Sequence, residues 1–324
     1  MRALGFRALE VPAEDGALLR RACRSSAAVL EHCDTFRGRA DLRPLVRHAI
    51  EAFGGKLVGT PAVPAHLADD KILAAERLEQ AALKVPRRRV VTRAVRTTPL
   101  GFPVVLKRPF DHGSRGLGVA RDPESLRRIS ERLLAAGHGP LLVEEFIEGR
   151  ELAAAALEVR GHFVCLPIVE VVLRRGRIYG KGLKWGPRDL PIRQAELGAE
   201  EEGRIREQVL RACRALGLRD YARFDLRLSA AGDAYFLEAN VRPSVEDGTE
   251  LRLAAELAGL DAEALLALIL WSAAGRHGLD SLRRRLEPLV RAAESRLLER
   301  SPLKRTRRSG RQGSGESLDT RGQR

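Results

Sequence analysis

The chain has 324 residues, of which 57 are Lys or Arg and 43 are Asp or Glu, giving a formal net charge of +14. With 44% apolar and 31% charged residues it holds enough core-forming material to exclude wholesale disorder. The longest apolar run, Ala262 to Ala274, is interrupted by Glu263 and too short for a bilayer span, and no signal-peptide pattern follows Met1, so a cytoplasmic protein without membrane contact is expected.

In chain order, residues 1–66 alternate short apolar strands (5–11, 27–30) with amphipathic helices (17–24, 42–53), a small and shortened N-terminal α/β domain. A second unit, 67–140, starts with a helix at 68–82 and continues with a strand at 103–107 and the glycine-rich loop Asp111-His112-Gly113-Ser114-Arg115-Gly116-Leu117-Gly118. A helix then begins where Asp122 caps it and Pro123 takes its first position. A third unit, 141–275, holds a strand at 141–147, an antiparallel pair at 151–159 and 163–173, and a loop rich in Gly, Lys and Arg at 176–192. It closes with a helix at 200–216, a hairpin of 221–228 with 234–240, and apolar helices at 249–258 and 261–274. An Arg-rich segment, 276–300, reads as a helix from Asp280, and 301–324, with seven basic and two acidic residues, reads as a disordered, dispensable tail.

Only seven of the basic residues are lysines, and the fifty arginines are spread without a basic stripe, which argues against a nucleic-acid partner. In such a chain a lysine marks a place that calls for a compact ammonium on a flexible stem. Lys71, Lys107, Lys181 and Lys184 all fall in segments singled out on other grounds. Cys23, Cys33, Cys165 and Cys213 lie far apart and read as reduced, mostly buried thiols.

Strand parity carries the first chemical reading. If Ala231-Gly232 form a two-residue turn, Asp225 lies opposite Glu238 on one face with Arg223 and Asn240, while Phe224, Leu226, Leu237 and Ala239 point into the core. Like charges face to face call for a cation between them, and two carboxylates with an amide oxygen suit Mg2+. The alternative is a solvated face neutralised by Arg223 and Arg227. In the glycine-rich loop, backbone N–H groups, the Ser114 hydroxyl and Lys107 can cradle phosphate oxygens, although surface turns also collect glycine. The strand end from Val143 to Glu151 can offer backbone groups to an adenine edge and a carboxylate to ribose hydroxyls, or be an ordinary strand end.

In this order the segments resemble the ATP-grasp superfamily, and most closely its D-alanine–D-alanine ligase branch, from about Leu57 to Trp271. The most specific part is Ala222-Arg223-Phe224-Asp225-Leu226-Arg227 followed by Leu237-Glu238-Ala239-Asn240, which match the branch's metal-binding acid, acid and Asn. The resemblance implies an α/β (in detail α+β) fold in which two ATP-grasp subdomains clamp ATP. It implies that Lys71, Lys107, Gly113 and Ser114 contact the phosphates, with Tyr179, Lys184 and Trp185 on the loop that covers them. Glu144, Glu145 and Ile147 match the adenine hinge and Glu151 the ribose acid. Asp225, Glu238 and Asn240 match the Mg2+ ligands, with Mn2+ also admissible. Arg223, Lys184 and Ser114 take the catalytic positions, Arg223 as an oxyanion stabiliser. The implied reaction passes through an acyl phosphate, joins a small-molecule carboxylate to an amine (amino acids or a short peptide), and releases ADP and phosphate; a homodimer is compatible with it.

At the substrate end the chain departs from the branch. The family's first substrate loop, with its donor acid, has no counterpart after Met1. Asp34-Thr35-Phe36-Arg37-Gly38-Arg39 stands in place of the second loop, and Val241-Arg242-Pro243-Ser244-Val245-Glu246-Asp247-Gly248-Thr249 in place of the loop after the metal Asn. A poor D-alanine–D-alanine ligase with a bulkier or more cationic acceptor is therefore expected. Arg37, Arg39 and Arg242 are candidate carboxylate ligands, and Glu246 or Asp247 candidate amine ligands. The alternatives are a ligase for other amino acids or peptides and a catalytically degenerate ATP-grasp protein.

Overall fold

The computed structural model describes residues 4–112, 116–137, 139–173 and 192–300. At the N-terminal end α1 (Gly16–Ser25), β1 (Val29–Leu30), α2 (Pro44–Ala52) and β2 (Leu57–Val58) gather Leu19, Cys23, Val46, Ile50 and Leu57 into a small core, with β1 and β2 parallel. The strand expected at 5–11 is absent from the described residues. Leu4 is instead buried among the C-terminal helices, and Phe6 lies under the Arg285 guanidinium, 4.6 Å from its ring centroid. Where one helix was expected at 68–82 there are two, α3 (Ala62–Asp69) and α4 (Lys71–Gln80). Asp70 divides them, because its carboxylate accepts from the Ile72 N–H at 2.9 Å and so caps α4, leaving Lys71 as the first helical residue.

Two antiparallel sheets follow. The four-stranded sheet contains β3 (Arg88–Val91), β4 (Val104–Lys107), β5 (Leu117–Ala120) and β6 (Leu141–Glu145) in the order β3-β6-β4-β5. One face packs Val104, Leu106 and Val143 against Leu126, Ile129 and Leu133 of α5 (Pro123–Ala135), which starts at the expected Asp122 cap.

The six-stranded sheet contains β7 (Arg150–Val159), β8 (His162–Cys165), β9 (Val169–Val171), β10 (Ile192–Gln194), β11 (Tyr221–Leu228) and β12 (Ala234–Asn240). Its order is β10-β9-β7-β11-β12, with β8 also on β7. The single strand expected at 163–173 is divided near Pro167, which has no N–H to donate to a ladder. Helix α6 (Ala199–Ala215) covers one face through Ile205, Val209 and Ala212 against Leu152, Ala154 and Phe224. Helices α7 (Glu250–Leu257), α8 (Ala262–Arg276) and α9 (Asp280–Arg300) build the second core, which takes in Ala155, Leu157 and Tyr221 from the opposite face. Alternation along β11 then places Arg223, Asp225 and Arg227 on the Tyr221 side of the sheet. No described helix is long and apolar enough to cross a membrane, and all four cysteines are unbonded.

Candidate active site

Asp225 does face Glu238, but by a different route from the one parity suggested. The hairpin loop has three residues, not two: the Ser229 N–H donates to the Asp233 carbonyl at 2.9 Å and Leu228 pairs with Ala234. A bulge then inserts Leu237, because Leu226 pairs with Phe236 while Asp225 pairs with Glu238, and the two irregularities cancel. Phe236 therefore takes the core position expected for Leu237 and meets Phe224 edge-on at 5.5 Å. The Leu237 carbonyl instead accepts a hydrogen bond from Lys107 Nζ at 3.0 Å.

Around this pair the charges interlock. The Arg223 guanidinium reaches both Asp225 oxygens at 2.7 and 3.1 Å and Glu250 Oε2 at 2.8 Å. Burial opposes its charge, but Asp225 and Glu250 outweigh burial and raise the Arg223 pKa. Glu238 Oε1 lies 3.4 Å from Lys71 Nζ and 2.7 Å from His112 Nδ1. Lys71 also donates to the Asp111 carbonyl at 2.6 Å, and burial lowers its pKa despite Glu238. Lys107 pairs with Glu144 at 2.7 Å. Asn240 lies beside them in the ladder, opposite Arg223, and its Oδ1 accepts from the Arg242 N–H at 2.9 Å.

The structure thus brings together Lys71, Lys107, Glu144, Arg223, Asp225 and Glu238. The acids expected at the nucleotide end of the site each have an arginine partner. Glu145 turns to Arg87, at 2.6 Å, while Glu151 is held by Arg227 Nε at 2.6 Å. Arg227 also donates to the Ile147 and Gly149 carbonyls at 3.3 and 3.4 Å. Gly113, Ser114, Tyr179, Lys181, Lys184 and Trp185 lie outside the described residues.

Sequence reasoning did not single out Glu250 or the group formed by the buried Arg43 and Asp69 with the half-buried His112. Arg43 is 1% exposed and binds Asp69 at 2.7 Å, and its Nη2 also meets His112 Nε2. Burial, with Lys71 and Arg43 nearby, pushes His112 down to about 4, so the ring is neutral. Burial works to raise the Asp69 carboxyl, but Arg43 and Arg242 outweigh it. The only advance signal was that His112 sits in the glycine-rich loop. Two of the three arginines named as candidate carboxylate ligands have acid partners within the chain, Arg242 with Glu31 at 2.9 Å and Arg39 with Asp41 at 2.5 Å, while Arg37 lies over the Phe36 ring and Asp247 pairs with Arg252 at 3.0 Å.

Among the described residues no three Asp, Glu, His or Cys side chains converge as a closed metal cage. The donor set is instead two opposed carboxylates and an amide, which fits a hard cation that completes its shell with phosphate oxygens and water.

The chain matches the family model described as D-ala D-ala ligase C-terminus over residues 75–271. It is 35% identical over 226 residues to a D-alanine–D-alanine ligase of Desulforudis audaxviator, covering 66% of this chain and 72% of that protein. It is 28% identical over 231 residues to the corresponding ligase of Thermotoga maritima, covering 71% and 75%. The fold is similar to that of the Bacillus anthracis D-alanine–D-alanine ligase complexed with ATP, with TM-score 0.65, 21% identity and 84% of each chain covered. It is also similar to the VanG D-Ala:D-Ser ligase of Enterococcus faecalis, with TM-score 0.62, 22% identity and 70% and 68% covered. The interlocked sheets, the opposed acids and the matched segment have one account: the chain belongs to the D-alanine–D-alanine ligase branch of the ATP-grasp superfamily.

Proposed function

We propose that the chain is an ATP-dependent carboxylate–amine ligase of the D-alanine–D-alanine ligase type, acting on amino-acid-class substrates in the cytoplasm. The observation that carries this reading is the approach of Lys71, from the start of α4, and Lys107, from the four-stranded sheet, to the strand pair that bears Arg223, Asp225 and Glu238. Three cations and two acids in one place suit a polyanion that arrives with a divalent metal. Asp225 and Glu238, with Asn240 beside them, would hold Mg2+, which when bound neutralises phosphate charge.

The chain's own residues supply the rest. Lys71 and Lys107 place ammonium groups against the phosphates, Glu144 orients Lys107, and Glu151 accepts from the ribose hydroxyls. A substrate carboxylate oxygen attacks the terminal phosphorus and ADP leaves. An amine then attacks the acyl phosphate carbon, phosphate departs with the C–O bond electrons, and the amine loses a proton. Arg223, pinned by Asp225 and Glu250, is already oriented to stabilise the tetrahedral oxyanion in between. Lys184 and Ser114 take part from the covering and phosphate loops.

The test is ADP and phosphate release by the purified chain with ATP, Mg2+ and a panel of D- and L-amino acids, with hydroxylamine present to trap the acyl phosphate as a hydroxamate. Amino-acid-dependent ADP and a hydroxamate are expected. Release of AMP and pyrophosphate, or no release with any substrate, would overturn the reading.

A further inference from the structure

We propose that His112, set by Arg43, is a positioning residue that holds the Glu238 carboxylate for the divalent cation and so ties the N-terminal elements to the metal end of the site. The inference rests on the reading of Glu238 as a cation ligand.

Arg43 precedes α2, Asp69 ends α3, His112 belongs to the loop after β4, and Glu238 lies on β12. Four separate elements therefore meet at one chain of contacts. Arg43 Nη2 reaches Asp69 Oδ2 at 2.7 Å and touches His112 Nε2. A guanidinium can only donate, so His112 Nε2 accepts and the ring's N–H is on Nδ1. That N–H meets Glu238 Oε1 at 2.7 Å. Arg43 thus selects the His112 tautomer, and the tautomer supplies the donor to Glu238.

Lys71 alone does not do this. Its ammonium is 3.4 Å from the same oxygen and is shared with the Asp111 and Pro109 carbonyls. Arg43 and Asp69 are buried at some cost, since Arg43 Nε, Arg43 Nη1 and Asp69 Oδ1 have no hydrogen-bond partner. A cluster that expensive is explained by what it orients. Partners behind a metal ligand typically matter about 10- to 100-fold in metal affinity.

The test is binding of Mn2+ to the full chain in the presence of ADP, followed by electron paramagnetic resonance. His112→Asn keeps an amide N–H at the Nδ1 position, whereas His112→Gln places its amide at the Nε2 position and loses that donor. His112→Gln and His112→Ala should weaken Mn2+ binding about 10-fold or more, and His112→Asn should stay within about threefold of wild type. Because Asn and Gln share chemistry, a folding defect common to both cannot mimic the split. Equal Mn2+ affinity in the two variants overturns this inference while leaving the ligase reading intact. A wild-type chain with no ADP-dependent Mn2+ signal overturns the cation reading on which it rests.

Discussion

Lys107 Nζ donates to the Leu237 carbonyl at 3.0 Å, joining β4 of the four-stranded sheet to the bulge in β12 of the six-stranded sheet. The same ammonium is 2.7 Å from Glu144, and the two side chains are 9% and 5% exposed. Removing one member of such a pair leaves a buried charge, which costs roughly 3–5 kcal/mol, whereas replacing both with apolar groups is often near neutral. Lys107→Met should therefore lower unfolding free energy by about 3 kcal/mol in urea titration. Adding Glu144→Leu should recover most of that loss without restoring nucleotide binding. A single variant as stable as wild type would show that Glu144 has another counter-charge.

Asp225→Asn and Glu238→Gln keep shape and remove charge. Arg223 retains Glu250 in the first variant, and Lys71 retains the Asp111 carbonyl in the second, so both proteins should fold. If the two acids hold the cation as proposed, ATP turnover should fall at least about 100-fold in each, because a ligand for the charge that screens the phosphates would be lost. Turnover within a few-fold of wild type, measured by ADP release, would remove these residues from the site.

Gly149 makes the hinge between β6 and β7 possible. A Cβ there would sit 2.0 Å from the Leu228 carbonyl oxygen, a backbone atom that cannot swing away. Gly149→Ala should push the start of β7 off the end of β11, disturbing Arg227 and Glu151. The expected cost is about 3 kcal/mol in stability, with a raised KM for ATP. Wild-type values for both would mean that the hinge tolerates a different path.

A pH effect is expected far from the site. Arg160, then Arg291, hold Glu287 down to about 2 from its ordinary 4.5, and Glu287 accepts from Trp271 Nε1 at 2.9 Å. A depressed carboxyl stabilises fully above the unfolded value and loses that contribution as pH falls toward the folded one. Trp271 emission, read in a Trp185→Phe background, should be steady from neutral pH to about 4.5 and change only as pH approaches about 2. Arg160→Gln should move the change upward. A wild-type midpoint at 4.5 would disprove the coupling.

The sequence by itself determined what depends on neighbours a few residues away. Asp122 and Pro123 set the start of α5, and alternation put Arg223, Asp225 and Arg227 on one face of β11. The motif around Asp225 and Glu238 carried the family, and those two acids proved to be opposite each other. Tertiary structure decided the rest, because ion pairing in a chain with fifty arginines depends on which of them arrives. Arg242 was a candidate for substrate until Glu31, 211 residues away, claimed it. Arg43 carried no local signal, yet it meets His112 across 69 residues. Even the opposition of Asp225 and Glu238 needed a bulge to undo a longer turn, and a bulge is fixed by what packs on each side, here Phe236 in the core and Lys107 at the Leu237 carbonyl.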